Sequence, residues 1–435
     1  MIDKTSMTER VGDIVGVHGL ITAAGAAAYA VDGIVPGLVA APDTIEQASR
    51  LVAFAYDNDL AVVPWGGGTS MMTGTRPPRL DMVIGMQRLN RVLDYSPDDM
   101  TITVQAGVPL AQVQRLMAQH GQMLPIDPPL PERATLGGIL ACNASGPLRY
   151  QFGMPRDICL GAVVVYPDGT LAKAGGRTVK NVAGYDMTRL HIGALGALGV
   201  IVEATFKVAP VAKSLVTVSG EFATLAAAVD GARSLRTARI VPWSLALVAP
   251  GALPGRDGGY RVAVRLGGQP AVVGPQTMRA IDTLKQCQAA AVGEIGNAEE
   301  TFWPALRDWP ATTGDAQSIV VRIGAAPSQT SRVIGAAQDI AARHGLPAAI
   351  LAYPGAATIY CCLGEPQDAA VDAVAGILAA VKEGNGNLTV ERCPLALKDR
   401  LPIWGGATAD ALTKAVKQAY DPKGILNPGR YIEGL

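Results

Sequence analysis

The chain has 435 residues, and its 37 Lys plus Arg balance its 37 Asp plus Glu. This length exceeds one ordinary hydrophobic core and predicts two or three domains. The neutral balance and the aromatic content of 5% argue against a nucleic-acid-binding protein and favour a small-molecule partner.

The first segment in chain order is an apolar stretch at residues 14–41. His18, Asp32 and several Gly and Pro residues interrupt it, whereas a spanning helix needs about 20 predominantly apolar residues. Residues 1–10 mix both charge signs, unlike the basic start of a secretory signal. We therefore expect neither a transmembrane helix nor a signal peptide.

Further along, the pattern alternates between helices and strands. Asp43 and Thr44 precede an amphipathic helix of about four turns, and residues 60–63 predict the next strand. Residues 101–106 alternate as a strand, and Pro109 opens a helix that Gly121 ends. Residues 160–166 and 171–174 predict a hairpin around a turn at 167–170.

A glycine-rich loop follows the strand at 60–63 and reads Pro64-Trp65-Gly66-Gly67-Gly68-Thr69-Ser70. Glycines lack Cβ and tolerate positive φ, so successive N–H groups can form a concave nest for phosphate. A nicotinamide-type fingerprint fails because Met71 stands where a glycine is needed, and no Gly-Lys pair offers a P-loop. A tight turn without any ligand is the alternative interpretation of this loop alone.

Three later segments complete a pattern. They are Thr135-Leu136-Gly137-Gly138 running on to Gly146 after the proline-rich 127–131, the stretch 179–186 continuing through 192–208, and the C-terminal 420–430. In this order the segments resemble the FAD-binding oxidoreductases of the vanillyl-alcohol oxidase (PCMH-type) superfamily. Within it the chain is similar to the FAD-binding subunits of glycolate oxidases. The resemblance covers residues 28–211 and about the last 35 well, and residues 212–400 only loosely.

The resemblance implies an α+β fold with a two-subdomain PCMH-type FAD-binding domain and an α/β cap domain. The implied division is an N-terminal segment at 1–27, the FAD-binding domain at 28–211, the cap at 212–400 and a segment at 401–435 that returns to the FAD domain. In the cap, strands are predicted near 260–266, 319–323, 358–363 and 388–392.

FAD is the implied cofactor, held by backbone amides from two glycine turns on either side of its pyrophosphate. The first glycine loop contains no histidine, where relatives that tether FAD carry one, so we predict non-covalent FAD. The sequence reads Gly193-Ala194-Leu195-Gly196-Ala197-Leu198-Gly199 where many relatives carry a carboxylate and a hydroxyl. The implied cofactor-binding residues are Pro64, Trp65, Gly66, Gly67, Gly68, Thr69, Ser70, Pro128, Thr135, Gly137, Gly138, Asn143, Ser145, Gly146, Gly199, Val200, Ile201 and Asn427.

Catalytic residues stay unassigned. Oxidation of a 2-hydroxy acid needs a base near the hydroxyl, and in the catalytic relatives a His-x-Gly-Asp-Gly-Asn-x-His segment supplies such groups. The corresponding stretch here runs from Tyr353 to Tyr360 without histidine or acid. Its two tyrosines remain candidate bases, although tyrosine is a poor base at neutral pH. Among His18, His120, His191 and His344, His191 is the best remaining candidate base, although plain structural roles explain all four. Arg76 and Arg322 could bind a carboxylate, with solvated or structural roles as the alternative.

The six cysteines show no Cys-x-x-Cys spacing. This spacing argues against an iron–sulfur cluster or a structural zinc site in this chain, and we expect no metal site and reduced thiols.

The sequence therefore predicts an FAD-binding subunit of a glycolate (2-hydroxy acid) oxidase or dehydrogenase complex. The expected partners are a related catalytic flavin subunit and an iron–sulfur subunit, with a small 2-hydroxy acid as the substrate of the complex. We expect a cytoplasmic location, with peripheral attachment to the inner face of the plasma membrane only through partners. Two alternatives stay open: a self-sufficient FAD-dependent 2-hydroxy acid dehydrogenase, and a non-redox scaffold that binds FAD.

Overall fold

The structure is a computed structural model that describes residues 4–21, 23–176, 185–255, 258–365 and 367–435. The chain divides into two compact units. Unit 1 comprises residues 1–145, 154–210 and 407–435, and unit 2 comprises residues 146–153 and 211–406. The predicted element at 179–186 lies, up to residue 184, outside the described residues.

The elements are numbered in chain order. The strands are β1 (Leu20–Ile21), β2 (Leu38–Ala40), β3 (Val62–Trp65), β4 (Met82–Gly85), β5 (Val92–Ser96), β6 (Thr101–Gln105), β7 (Gln122–Met123), β8 (Cys159–Val165), β9 (Leu171–Gly175), β10 (Val200–Lys207), β11 (Ala209–Pro210), β12 (Ser214–Phe222), β13 (Pro242–Val248), β14 (Tyr260–Gly268), β15 (Ala291–Glu294), β16 (Ile319–Gly324), β17 (Ala348–Tyr353), β18 (Thr358–Leu363) and β19 (Asn387–Arg392). The α-helices are α1 (Lys4–Val15), α2 (Ala23–Ala26), α3 (Ile45–Asp57), α4 (Leu110–Ala118), α5 (Leu136–Cys142), α6 (Arg149–Phe152), α7 (Pro155–Ile158), α8 (Thr188–His191), α9 (Leu225–Thr237), α10 (Pro270–Gln286), α11 (Phe302–Thr312), α12 (Thr330–Arg343), α13 (Gln367–Glu383) and α14 (Ala411–Tyr420).

Within the described ranges, unit 1 contains a four-stranded sheet in the order β1-β2-β4-β3 and a five-stranded sheet in the order β5-β6-β10-β8-β9. Strand β4 pairs in parallel with both β2 and β3, while every pair in the five-stranded sheet is antiparallel. Both sheets contribute to one core, because Met82 and Ile84 of β4 and Ile102 and Val104 of β6 are buried in the same cluster.

Several local predictions in unit 1 are confirmed. Thr44 caps α3 by accepting a hydrogen bond from the Gln47 amide, and Pro109 precedes the first turn of α4. Strands β8 and β9 form the predicted hairpin. The N-terminal segment adds an element that we did not predict, since α1 buries Val11 and Val15 in the unit 1 core. Among the described residues, we find no helix with the length and hydropathy that crossing a membrane requires.

The C-terminal segment returns to β3 and extends the four-stranded sheet. The Val62 amide donates to the Ile425 carbonyl at 2.8 Å, and the Asn427 amide donates to the Val62 carbonyl at 2.7 Å. Val62 and Leu426 thereby form a parallel bridge. This pairing brings residues 427–430 beside the end of β3, where the glycine loop begins.

In the described part of unit 2, eight strands form one antiparallel sheet in the order β15-β12-β14-β13-β17-β18-β16-β19. Helices α9, α10, α12 and α13 contribute buried residues to one core cluster of this unit, and α11 contributes to the other. The four predicted cap strands are confirmed as β14, β16, β18 and β19. The short segment 146–153 packs on this sheet, with the Phe152 and Trp243 rings 5.0 Å apart.

Candidate functional site

The glycine loop leaves β3 at Trp65 and lies against the backbone of residues 133–135. A Cβ on Gly67 would come within 1.8 Å of the Arg133 carbonyl oxygen, and a Cβ on Gly66 within 2.2 Å of the Thr135 hydroxyl oxygen. Gly68 has φ of +70°, which favours glycine. Each of the three positions thus excludes a larger residue for a reason visible in the structure.

The main chain of this loop keeps its donors available. Across the described residues, the amides of residues 66–70 donate to no protein carbonyl or side chain, although they are partly shielded from solvent. Partly buried amides without an acceptor carry a cost of about 1–3 kcal/mol each unless a ligand or water accepts from them. Five consecutive amides of this kind form the donor set that an anionic group requires.

The second side of the cleft comes from residues 130–138. Leu130 has φ of +57°, and its carbonyl accepts from the Arg133 and Ala134 amides in a tight turn. Thr135 then occupies the N-cap position of the short α5, and its side chain makes no capping hydrogen bond. The Gly137 amide donates to the Ala106 carbonyl at 2.8 Å, and a Cβ on Gly137 would lie 2.5 Å from the Ala106 Cβ. Gly137 therefore packs α5 against the end of β6, while Gly138 lines the cleft.

The third side joins the loop at 193–195 to the C-terminal segment. The Gly193 amide donates to the Leu140 carbonyl at 3.0 Å and the Leu195 amide to the Ala141 carbonyl at 2.9 Å. The Asn427 side-chain amide donates to the Leu195 carbonyl. These contacts use the main chain of the loop. The Ala and Leu residues that stand in 193–199 where many relatives have a carboxylate and a hydroxyl therefore do not disturb them.

A buried ion pair holds this third side in place. Lys417 Nζ contacts Asp421 Oδ2 at 2.7 Å, the Ala197 carbonyl at 2.9 Å and the Leu426 carbonyl at 3.1 Å. Burial lowers the pKa of the Lys417 ammonium, and the Asp421 carboxylate opposes that change. The sequence motifs did not single out this pair, although the i,i+4 spacing of Lys417 and Asp421 is a visible signal.

The structure brings half of the implied cofactor residues to this one cleft. Those that line it are Pro64, Gly66, Gly67, Gly68, Thr69, Ser70, Thr135, Gly138 and Asn427. Trp65 instead packs its ring against Tyr29, with centroids 5.2 Å apart, and Pro128 is buried beside the turn at Leu130. The cleft is also lined by Met71, Thr73, Ala141, Cys142, Leu195 and Arg430, which the sequence did not single out.

The remaining implied residues lie elsewhere. Asn143 ends α5 in the left-handed region with φ of 49°, and Ser145 is the last residue of unit 1 before the segment 146–153. Gly146 begins that segment and is grouped with unit 2. Gly199 precedes β10, where a Cβ would approach Val164 Cγ1 to 2.5 Å, and Val200 and Ile201 are buried at the start of β10.

Buried polar atoms at the cleft test whether FAD fits it. Among the described residues, Thr135 Oγ1, Asn427 Oδ1 and Arg430 Nε are buried without a hydrogen-bond partner, and all three residues line the cleft. Thr135 and Arg430 can donate to phosphate oxygens, as can the loop amides. The donor set therefore fits the pyrophosphate of FAD.

Comparison with known families agrees with this chemistry. Residues 36–175 match the FAD binding domain family, and residues 397–431 match the C-terminal domain of FAD linked oxidases. Both glycine turns of the cleft fall within the first match, and Asn427 and Arg430 fall within the second.

Relatives extend the similarity over most of the chain. Glycolate oxidase subunit GlcD of Bacillus subtilis is 27% identical over 91% of this chain and 88% of its own length. D-2-hydroxyglutarate dehydrogenase of Xanthomonas citri is 36% identical over 40% of this chain, and glycolate oxidase subunit GlcE of Escherichia coli is 42% identical over 27%. These two alignments span 36% and 34% of the relatives' own lengths, about a third in each case.

A solved structure of p-cresol methylhydroxylase with substrate bound superposes with a TM-score of 0.79, covering 98% of this chain and 96% of that chain at 16% identity. The chain therefore has the PCMH-type fold with its FAD-binding domain, and it is an FAD-dependent oxidoreductase. More particularly, it is related to glycolate oxidase subunits and to 2-hydroxy acid dehydrogenases. The predicted fold class, cofactor and enzyme class are confirmed.

His191, the candidate base, is buried beside the rings of Tyr166 and Tyr420. Burial lowers its pKa to about 4, so the imidazole is neutral at neutral pH and a weak base. Its Nδ1 has no partner in the described part of the chain. His191 lies outside the lining of the glycine-loop cleft, and this placement favours a packing role.

The other candidate groups have structural surroundings. His18, His120 and His344 are exposed. Tyr353 is buried in unit 2 and donates from its hydroxyl to the Leu306 carbonyl at 2.7 Å.

The remaining candidates are equally accounted for. Tyr360 is buried against Tyr353, Arg322 pairs with Glu391, and Arg76 is exposed. Among the described residues no cluster of metal-ligating side chains occurs, and all six cysteines are unpaired thiols.

Replacement of Thr135 tests the cleft directly. Thr135→Val removes a hydroxyl without a protein partner, so the apoprotein should keep its stability while the Kd for FAD rises about tenfold. The measurement is a titration of apoprotein with FAD by flavin fluorescence. Thr205→Val is the matched control, because its hydroxyl pairs with that of Thr103 at 2.9 Å and neither residue lines the cleft. This control should lose about 1 kcal/mol of stability and keep its FAD affinity.

The burial of His191 predicts that the free energy of unfolding of unit 1 decreases in acid. Its folded-state pKa of about 4 lies below the ordinary value of 6.5, so stability is full above about pH 6.5 and falls as the pH drops toward 4. At about pH 5 this group should cost about 2 kcal/mol relative to neutral pH. His191→Phe should remove that loss in urea unfolding curves, whereas His344→Asn at the exposed end of α12 should retain it. Equal acid sensitivity of wild type and His191→Phe would contradict the assignment.

The attachment of the flavin gives a third prediction. Since no histidine lies in the loop at 64–70, acid or heat denaturation should release all FAD into the supernatant. Flavin fluorescence that stays with the protein band in a denaturing gel would show a covalent bond instead.

Proposed function

We propose that this chain is the FAD-binding subunit of a multi-subunit glycolate (2-hydroxy acid) dehydrogenase, of the GlcE type. In that complex a related flavin subunit would oxidise the substrate and an iron–sulfur subunit would receive the electrons. The flavin of this chain would relay electrons or support its catalytic partner. FAD, when bound, supplies a two-electron acceptor that can also pass single electrons.

The observation that carries the proposal is the missing acid–base machinery. The stretch that the resemblance matches to the paired histidines carries Tyr353 and Tyr360 instead, and both are buried in the packed interior of unit 2. The Tyr353 hydroxyl is committed to a helix carbonyl. A tyrosine with an ordinary pKa of about 10 is in any case a poor base at neutral pH. The donors of the glycine-loop cleft support FAD binding, while the described part of the cap offers no evident group for proton abstraction.

A self-sufficient 2-hydroxy acid dehydrogenase is the second candidate. The similarity to D-2-hydroxyglutarate dehydrogenase favours it. A non-redox scaffold subunit of an oxidoreductase complex is the third, in which the FAD of this chain would stay unreduced during turnover. The three candidates differ in which flavin becomes reduced and when.

Anaerobic flavin reduction separates them. The purified chain loaded with FAD should keep its absorbance near 450 nm when glycolate or D-lactate is added. In the complex purified from the native host, the same substrates should bleach the flavin of both subunits. Bleaching of the isolated chain at the rate of turnover would establish the self-sufficient enzyme, and bleaching of only one flavin per complex would establish the scaffold.

A further inference from the structure

Arg430 is a buried cation at the FAD cleft. Its side chain is 3% exposed, and Nη1 contacts Asp32 Oδ2 at 2.8 Å. Nη2 donates to the Met71 carbonyl at 2.7 Å and also to the Thr73 carbonyl. Three of its contacts therefore fix the guanidinium at the exit of the glycine loop.

The backbone of residues 429–430 packs closely against residues 74–75, which follow the glycine loop. A Cβ on Gly74 would lie 2.5 Å from the Arg430 carbonyl oxygen, and Gly74 has φ of +96°. The Thr75 hydroxyl donates to the Gly429 carbonyl. The position of the guanidinium is therefore set by main-chain packing on both sides, and the side chain has little freedom to turn away from the cleft.

One donor of this guanidinium is left over. Nε is buried without a hydrogen-bond partner among the described residues, and Arg430 is the one charged side chain in the described lining of the cleft. A buried guanidinium donor without an acceptor raises the free energy of the folded protein, because burial removes its hydrogen bonds to water and no protein acceptor replaces them. An anionic ligand in the cleft would remove that cost through a charge-assisted hydrogen bond.

We propose that Arg430 is a cofactor-binding residue that donates from Nε to the anionic part of FAD, and that Asp32 orients the guanidinium and offsets its charge when FAD is absent. This inference rests on the proposed placement of the FAD pyrophosphate in the glycine-loop cleft. It adds a cationic side chain to a set of FAD-binding donors that otherwise consists of backbone amides and hydroxyls.

Asp32 is suited to the orienting role. Its side chain is buried, and its backbone adopts φ of 48° in the turn that bridges Val31 and Ile34. Aspartate adopts the left-handed region more readily than most other residues do. The carboxylate keeps the apo cleft neutral overall, so the charge of Arg430 is not left uncompensated before FAD binds.

Two substitutions separate cofactor binding from a purely structural lock. Arg430→Met removes the charge and the Nε donor at similar length, whereas Asp32→Asn keeps an acceptor for Nη1 and removes only the compensating charge. If Arg430 binds FAD, Arg430→Met should raise the Kd for FAD about ten- to a hundredfold. Asp32→Asn should lower the melting temperature of the apoprotein while leaving the Kd unchanged or lower, because the positive charge facing FAD is no longer offset.

The experiment is a titration of each apoprotein with FAD by fluorescence quenching at low and at moderate salt, together with a thermal melt. Wild-type affinity should fall with salt, and Arg430→Met should show a weaker salt dependence. An FAD affinity of Arg430→Met within about twofold of wild type overturns the inference. Equal losses of affinity in both variants also overturn it, since they identify a structural lock.

Two further outcomes are informative. Should Arg430→Met fail to fold, Asp32→Asn decides alone, and a loss of FAD affinity in that variant counts against cofactor binding by Arg430. Should Thr135→Val weaken FAD binding while Arg430→Met does not, the placement of FAD stands and only the role of Arg430 falls.

Discussion

The close approach of the glycine loop to the backbone of residues 133–135 is the constraint on which the cleft depends. Gly66 and Gly67 have no space for a Cβ, because the Thr135 hydroxyl and the Arg133 carbonyl occupy it. Two chain segments that meet at this distance expose main-chain donors on a common surface instead of side chains. The cleft therefore presents amides, hydroxyls and one guanidinium that already pairs with Asp32.

Two buried ion pairs stabilise the C-terminal segment at that cleft. Lys417 pairs with Asp421 inside the segment and donates to the Ala197 carbonyl, while Arg430 pairs with Asp32 and donates to the exit of the glycine loop. Breaking one partner of such a pair typically costs about 3–5 kcal/mol. The C-terminal residues are thus a structural part of the candidate site, although they lie more than 200 residues after its other segments in sequence.

The cap contrasts with the FAD cleft. Its antiparallel sheet is packed on both faces, and Tyr353 and Tyr360, which end the stretch that the family resemblance matches to the histidine motif, belong to one of its core clusters. The two rings pack against each other, and the Tyr353 hydroxyl donates to the Leu306 carbonyl of α11. In the described part of unit 2 this stretch therefore contributes to packing, whereas the cleft of unit 1 presents hydrogen-bond donors.

The sequence by itself determined the local elements and the class of protein. The Thr44 cap, the hairpin of β8 and β9 and the glycine run after β3 depend on short-range patterns that local physics enforces. The order of the glycine segments was enough to indicate FAD. Tertiary structure alone decided which glycines line the cleft, because Gly137 and Gly138 are adjacent in sequence but face different neighbours. It also decided the burial of Arg430 and Lys417, since a charged residue near a helix end or in a terminal motif is ordinarily solvated. The pairing of residues 425–427 with β3 brings the C-terminal segment to the cleft where these cations are buried, and long-range pairing of this kind leaves no local signal in the sequence.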